Sequence, residues 1–265
     1  MKRALEELKT EVVQTTQEVA IFIRSAYGKI KEKEIFEKGH NLLVSRIDRE
    51  AEALLLERLA KLVSNPSFLA EESEVSQVKT ATRWIVDPLD GTTNFLHQIP
   101  CFAISIALEH KDEIVLGVVH EINRDETFSA WKGGGAYLND QPIQVREVKS
   151  LNQTLIATGF PYHDYERIEA YCNMLKELMK RTRGIRRLGS AATDLAYTAA
   201  GRFDAFFEYS LSPWDVAAGS LIAQEAGALV CDFSGGNNYL FGEEIVAASP
   251  GIAKVFMQLI RKNFG

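Results

Sequence analysis

From Leu151 to the C-terminus two apolar rhythms alternate with no linker between them, and this constrains the fold more than any other feature. Strand-like runs at Thr154–Thr158, Ile185–Leu188, Phe203–Glu208, Ala228–Asp232 and Ile245–Ala247 are interleaved with helix-like runs at Asp164–Arg181, Ala191–Ala200, Val216–Ala226 and Ile252–Arg261. Each such element must bury an apolar face against another, and mixed order of this kind predicts layers of helix on sheet. In the N-terminal half, Leu5, Leu8, Val12, Val13, Val19, Ala20 and Ile23 fall at helical spacing and predict a long amphipathic helix over 3–27. Ser45–Val63 predicts a second helix. The lysine- and glutamate-rich stretch between them, Lys31–Lys38 and then Gly39–His40–Asn41, predicts a solvated, mobile loop. After Asn65–Pro66 come short β-like runs: Ser67–Ala70, Arg83–Val86, Phe102–Leu108, Ile114–Val119, Thr127–Ala130 and Ile143–Val145. The expected fold class is α/β (α+β). One domain over 1–265 is expected, with an α+β half to about 148 and an α/β half from about 149.

A net charge of −6 disfavours non-specific attraction to nucleic acid or anionic lipid. An acidic chain that handles an anionic ester needs something else to neutralise it, and a divalent metal is the obvious candidate. Cys101, Cys172 and Cys231 are odd in number and far apart, which fits a reduced compartment rather than a disulfide framework or a zinc site. The charged start of the chain lacks the apolar core of a signal peptide, and runs such as Cys101–Leu108 are too short to span a bilayer. A cytoplasmic protein is the expectation.

The most informative segment is Trp84-Ile85-Val86-Asp87-Pro88-Leu89-Asp90-Gly91-Thr92-Thr93-Asn94-Phe95. A β-like run ends in two aspartates three apart. Pro88 lacks an N–H, so the chain is expected to leave the sheet there. Two carboxylates and a carbonyl brought to one point would suit Mg²⁺, and N–H groups after Gly91 could receive phosphate oxygens. A single aspartate at a strand end is usually just a turn residue that bonds its own backbone. Two further acidic signals accompany them. Glu71 and Glu72 close Ser67–Ala70, and Asp215 opens the apolar helix after Trp214, where a structural role at the helix start is the simpler reading.

Asp87-Pro88-Leu89-Asp90-Gly91-Thr92-Thr93-Asn94-Phe95 resembles the first signature of the inositol monophosphatase family, and Trp214-Asp215-Val216-Ala217-Ala218-Gly219 resembles the second. Ala70–Ser73, Asp48–Glu52, Gly134–Asn139, Ala157–Pro161 and Gly201–Glu208 extend the resemblance, which covers roughly residues 5–260. It implies a layered αβαβα sandwich, commonly a homodimer, and a phosphatase that uses Mg²⁺ to activate the attacking water. By carry-over, Glu71, Asp87, Asp90, Asp215 and the Leu89 carbonyl hold the metal; Glu71, Thr92 and Asp48 form the catalytic group that positions the water. The N–H groups of Gly91 and Thr92 meet the phosphate, and Asp90, the backbone around Ala191, and Glu208 face the alcohol. The implied substrate is inositol-1-phosphate and the implied partner a small phosphate ester; lithium sensitivity is common among similar enzymes. Leu42, Arg46 and Ala70 depart from residues frequent in the family, and none is an expected ligand.

Two other readings remain: a phosphatase for another sugar phosphate, such as fructose 1,6-bisphosphate, and a regulatory partner in transcription or ribosomal RNA maturation. Gly133-Gly134-Gly135 lacks the Gly-Lys-Ser/Thr ending of a P-loop and reads as a tight turn. His40, His97, His110, His120 and His163 show no metal-ligand spacing. Arg181, Arg183, Arg186 and Arg187 have no interleaved aromatics, so a solvated turn or a dimer contact is expected rather than direct nucleic-acid binding. No membrane contact is expected.

Overall fold

A computed structural model describes residues 2–31, 34–39, 42–73, 79–161 and 165–265. The N-terminal half runs α1 (Lys2–Ala26), β1 (Ile35–Gly39), β2 (Leu42–Ser45), α2 (Arg46–Leu59), β3 (Ser67–Ala70), β4 (Thr82–Asp90), α3 (Thr92–Leu96), β5 (Ala103–His110), β6 (Glu113–Glu121), β7 (Glu126–Trp131), β8 (Gly135–Leu138) and β9 (Gln141–Ile143). The C-terminal half runs β10 (Leu155–Thr158), α4 (Ile168–Arg181), β11 (Gly184–Arg186), α5 (Ala191–Ala199), β12 (Ala205–Tyr209), α6 (Pro213–Glu225), β13 (Leu229–Cys231), β14 (Glu244–Ala248) and α7 (Pro250–Phe264).

Strands β3 to β9 form a seven-stranded sheet in chain order, antiparallel except for the β3–β4 pair. The second sheet has order β11-β10-β12-β14-β13, parallel on one side of β12 and antiparallel on the other. Three apolar layers join them. Val12, Val19 and Ile23 of α1 and Ala51, Leu55 and Leu59 of α2 pack on Trp84, Val86 and Ile106 of the first sheet. Ala192, Leu195 and Ala196 of α5 and Val216, Ala217 and Leu221 of α6 fill the space between the sheets. Tyr171 and Met174 of α4 and Phe256 and Ile260 of α7 cover the far face. The layering is therefore αβαβα, as the resemblance implies.

Helix α6 lies between two sheets, so it is apolar almost all round, and its small residues decide how closely it packs. A Cβ added at Gly117 of β6 would stand 2.7 Å from the Ala218 carbonyl oxygen, and one at Gly219 would stand 2.6 Å from Leu195. Bulkier residues at either place would push α6, and Asp215 with it, away from the sheet.

Two expectations are corrected. Part of the charged stretch expected to be a loop is a strand: β1 pairs antiparallel with β2, Ile35 opposite Ser45 and Glu37 opposite Leu43. Glu32, Lys33, His40 and Asn41 lie outside the described residues. Backbone pairing is indifferent to surface charge, and the charge run masked the short β-branched and aromatic positions that support it. The chain also does not leave the sheet at Pro88. Strand β4 continues to Asp90 through a bulge: Asp87 faces Ser105 and Asp90 faces Ala103, one residue more on β4 than on β5. A bulge is one of the few places in a sheet that tolerates proline. Among the described residues no helix is long and apolar enough to cross a membrane.

Candidate active site

The bulge creates the site's geometry. In a regular strand, residues three apart point to opposite faces; one inserted residue restores the phase and lets Asp87 and Asp90 converge. Asp215 enters from the first turn of α6. One carboxylate oxygen from each of Asp87, Asp90 and Asp215 lies within 4.8 Å of the others. Such crowding opposes ionisation. Burial, then the charges of Glu71, Asp90 and Asp215, hold Asp87 well above the usual carboxylate range. Burial and the neighbouring charges of Asp90 and Glu71 do the same to Asp215. Burial raises Asp90 to about 6 despite hydrogen bonds from Ser190 and the start of α5.

Glu71 stands at the end of β3, where its N–H donates to the Val86 carbonyl at 3.2 Å. Its charge helps to raise Asp87, Asp90 and Asp215. Asp48 is fully buried and serves two groups at once. Its Oδ2 accepts from the N–H and hydroxyl of Ser45, capping α2, while Oδ1 accepts from the Thr92 hydroxyl at 2.8 Å. Thr92 Oγ1 also lies 3.0 Å from the Leu89 carbonyl oxygen, and the Leu89 N–H donates to Asp87 Oδ1 at 2.9 Å. Asp215 repeats the arrangement of Asp48: its Oδ2 accepts from the Ser212 N–H at 2.7 Å and caps α6. The structural and functional readings of Asp215 thus hold together, since a carboxylate has a second oxygen.

Gly91 adopts φ +95°, and a Cβ there would stand 3.0 Å from the Cys101 carbonyl oxygen, so the turn after Asp90 requires glycine. Oδ2 of Asp90 accepts from the Ser190 hydroxyl at 2.6 Å and the Ala192 N–H at 2.7 Å, which ties the backbone around Ala191 to the aspartate cluster. Glu208 of β12 is buried below Gly159; a Cβ on Gly159 would collide with its carboxylate. Burial pushes Glu208 up to about 8, with Arg187 opposing and Asp90 adding to the shift.

The expected site residues lie on β3, β4, the turn into α3, β12, and the starts of α2, α5 and α6. The set is chemically suited to a divalent cation: hard oxygen donors whose mutual repulsion a cation would relieve. Among the described residues His97, His110 and His120 do not join it; His40 and His163 lie outside the described residues. The glycine run at 133–135 forms a turn, with Gly133 and Gly135 at positive φ.

The chain matches the inositol monophosphatase family over residues 4–264. It belongs to that family. It is 45% identical over 237 residues to the inositol-1-monophosphatase of Rhizobium meliloti, with 89% of each chain covered. It is 41% identical over 229 residues to Nus factor SuhB of Escherichia coli, with 86% of each covered. The crystal structure of extragenic suppressor protein suhB from Bartonella henselae superposes with a TM-score of 0.91 at 40% identity, covering 96% of this chain and 98% of that one.

Relative to the inositol monophosphatase signatures, three participants were not foreseen. Ser45 and Ser190 orient Asp48 and Asp90, and the pattern Ser45-x-x-Asp48 is a helix-start signature that could have found the first. Asp194, in the first turn of α5, is buried with neither carboxylate oxygen hydrogen-bonded; burial, then the charges of Glu208 and Asp90, hold it well above the usual range. No local pattern announces it.

Proposed function

We propose that this chain is a Mg²⁺-dependent phosphomonoesterase that hydrolyses inositol-1-phosphate to inositol and phosphate. The observation that carries the reading is the convergence of Asp87, Asp90 and Asp215 within 4.8 Å, beside the Thr92–Asp48 pair. Glu71, Asp87, Asp90, Asp215 and the Leu89 carbonyl would hold the cation. When bound, Mg²⁺ would ease deprotonation of water and neutralise charge on the phosphate and the leaving oxygen.

The chain's own groups do the rest by positioning. The Thr92 hydroxyl, fixed by Asp48, orients the attacking water, and Glu71 accepts its proton. Gly91 and Thr92 present N–H groups to the phosphate. The water oxygen bonds to phosphorus as the ester P–O bond breaks, and the departing alkoxide takes a proton from solvent water. Glu208, Asp90 and the backbone at Ala191 face the hydroxyls of the alcohol, which favours a polyhydroxylated leaving group. The reading includes a homodimer, checked by sedimentation.

The test is phosphate release from inositol-1-phosphate, fructose 1,6-bisphosphate, glycerol-2-phosphate and phosphoadenosine phosphate, with and without Mg²⁺, for the native chain and Asp90→Asn. Mg²⁺-dependent turnover highest on inositol-1-phosphate and lost in the variant is expected. Absence of turnover on every ester would sink the reading. A second reading, a partner in transcription, is favoured by the 41% identity to a protein named Nus factor SuhB. It is checked by capture of RNA polymerase subunits on the immobilised chain.

A further inference from the structure

Helix α2 carries two buried carboxylates one turn apart, Asp48 and Glu52, and only the first has a part in the reading above. Residues four apart share a helix face; Asp48 meets Thr92 after β4, and Glu52 meets the turn after β3. Glu52 is 2% exposed. Its Oε2 accepts from the Glu72 N–H at 2.7 Å, and its Oε1 accepts from the Ser73 hydroxyl. Both oxygens therefore hold the turn that follows Glu71. At this depth a carboxylate without such donors would be costly, and the turn would lose the acceptor for its N–H.

We propose that Glu52 is a positioning residue for Glu71, and through it for the divalent cation. Glu71 is gripped on two sides. Its own N–H is tied to the Val86 carbonyl of β4, and the next peptide is tied to Glu52. The far end of β3 is fixed separately, by the hydrogen bonds that join Ser67 and Thr80, so Glu52 controls the end that carries Glu71. Because Asp48 fixes Thr92 from the same helix, α2 sets the spacing between the water-orienting hydroxyl and the Glu71 carboxylate. Four residues of helix correspond to about 6 Å along its axis, a distance that a rigid helix holds far better than a loop would. Ala51 and Leu55, fully buried against the sheet, hold the helix in place. Groups behind a ligand that orient it commonly matter for metal affinity nearly as much as the ligand itself.

This inference rests on the cation-binding reading, and its test separates the two. Mn²⁺ alone serves as the probe: its binding is followed by electron paramagnetic resonance, without substrate, for the native chain, Glu52→Gln, Ser73→Ala and Glu50→Gln. Melting in a chelator is recorded for each. Glu50 lies on the same helix but pairs with Arg46 at the surface, so Glu50→Gln should bind Mn²⁺ as the native chain does. Glu52→Gln should remain folded and weaken Mn²⁺ binding about tenfold. Ser73→Ala, which removes one of the two contacts, should weaken it about threefold. Folded Glu52→Gln with native affinity would overturn the proposal. If Glu52→Gln does not fold, native affinity in Ser73→Ala would overturn it instead. A native chain that binds no Mn²⁺ would overturn the cation-binding reading itself.

Discussion

The hydroxyl of Thr92 lies 2.8 Å from Oδ1 of Asp48, joining the turn after β4 to the first turn of α2. Because Oδ2 of the same carboxylate is held by Ser45, Asp48 cannot rotate without losing the cap of α2, and the Thr92 oxygen is fixed in turn. Thr92→Val keeps the shape and removes the hydroxyl. Its expected effect is a loss of about 10²-fold or more in kcat with a small change in melting temperature, whereas Thr92→Ser should retain most activity. Steady-state assays beside thermal melts check it. Valine at native rates would remove Thr92 from the mechanism.

Glu208 should make the metal-free protein less stable as pH rises. Its carboxyl is held at about 8 by burial against a usual 4.5, so the folded state keeps a proton that the unfolded chain releases. The stabilisation is complete below about pH 4.5 and is lost as pH climbs to about 8, on the order of 5 kcal/mol across that window. Denaturant titrations in chelator between pH 5 and 8.5 should show a fall to which Asp87, Asp90, Asp194 and Asp215 also contribute, and Glu208→Gln should make it shallower by the Glu208 share.

His120 acts on the acid side. Burial lowers its ring to about 4 from a usual 6.5, opposed by Asp125 and reinforced by Arg24. Nδ1 is within 2.8 Å of the Thr127 hydroxyl, and Nε2 is buried without a hydrogen bond. The unfolded chain therefore takes up a proton that the fold refuses. Stability is fully present above about pH 6.5 and falls as pH drops toward 4, by on the order of 3 kcal/mol. Chemical shifts of the ring should show no titration down to about pH 5; a ring that titrates near 6.5 would contradict this.

Lithium should inhibit. A crowded set of oxygen ligands built for a small hard cation also accommodates a small monovalent one that supplies less charge. Turnover of the preferred ester should fall at millimolar LiCl and not at equal NaCl; equal rates in both salts would refute the expectation.

How much of this was legible varies by residue. Asp87, Asp90 and Gly91 stood out because carboxylates, proline and glycine rarely crowd a strand end by chance. The order of helices and strands in the C-terminal half was readable because each element's apolar face repeats with its own period. The β1–β2 hairpin was not, since its pairing is made by backbone groups that side-chain charge does not report. The continuation of β4 through Pro88 was missed because proline forbids a regular ladder and tolerates a bulged one, and only the partner strand decides between them.

The sequence by itself determined the chemistry available: hard oxygen donors, hydroxyls placed to cap helices, and apolar periods that require layers. Only the tertiary structure decided that these donors meet. The bulge turned Asp87 and Asp90 to one side, and the close approach of α6 to β6, permitted by Gly117 against Ala218, brought Asp215 to them. The physical reason is that periodicity states which face of an element is buried, whereas register and packing distance fix where its polar ends come to rest.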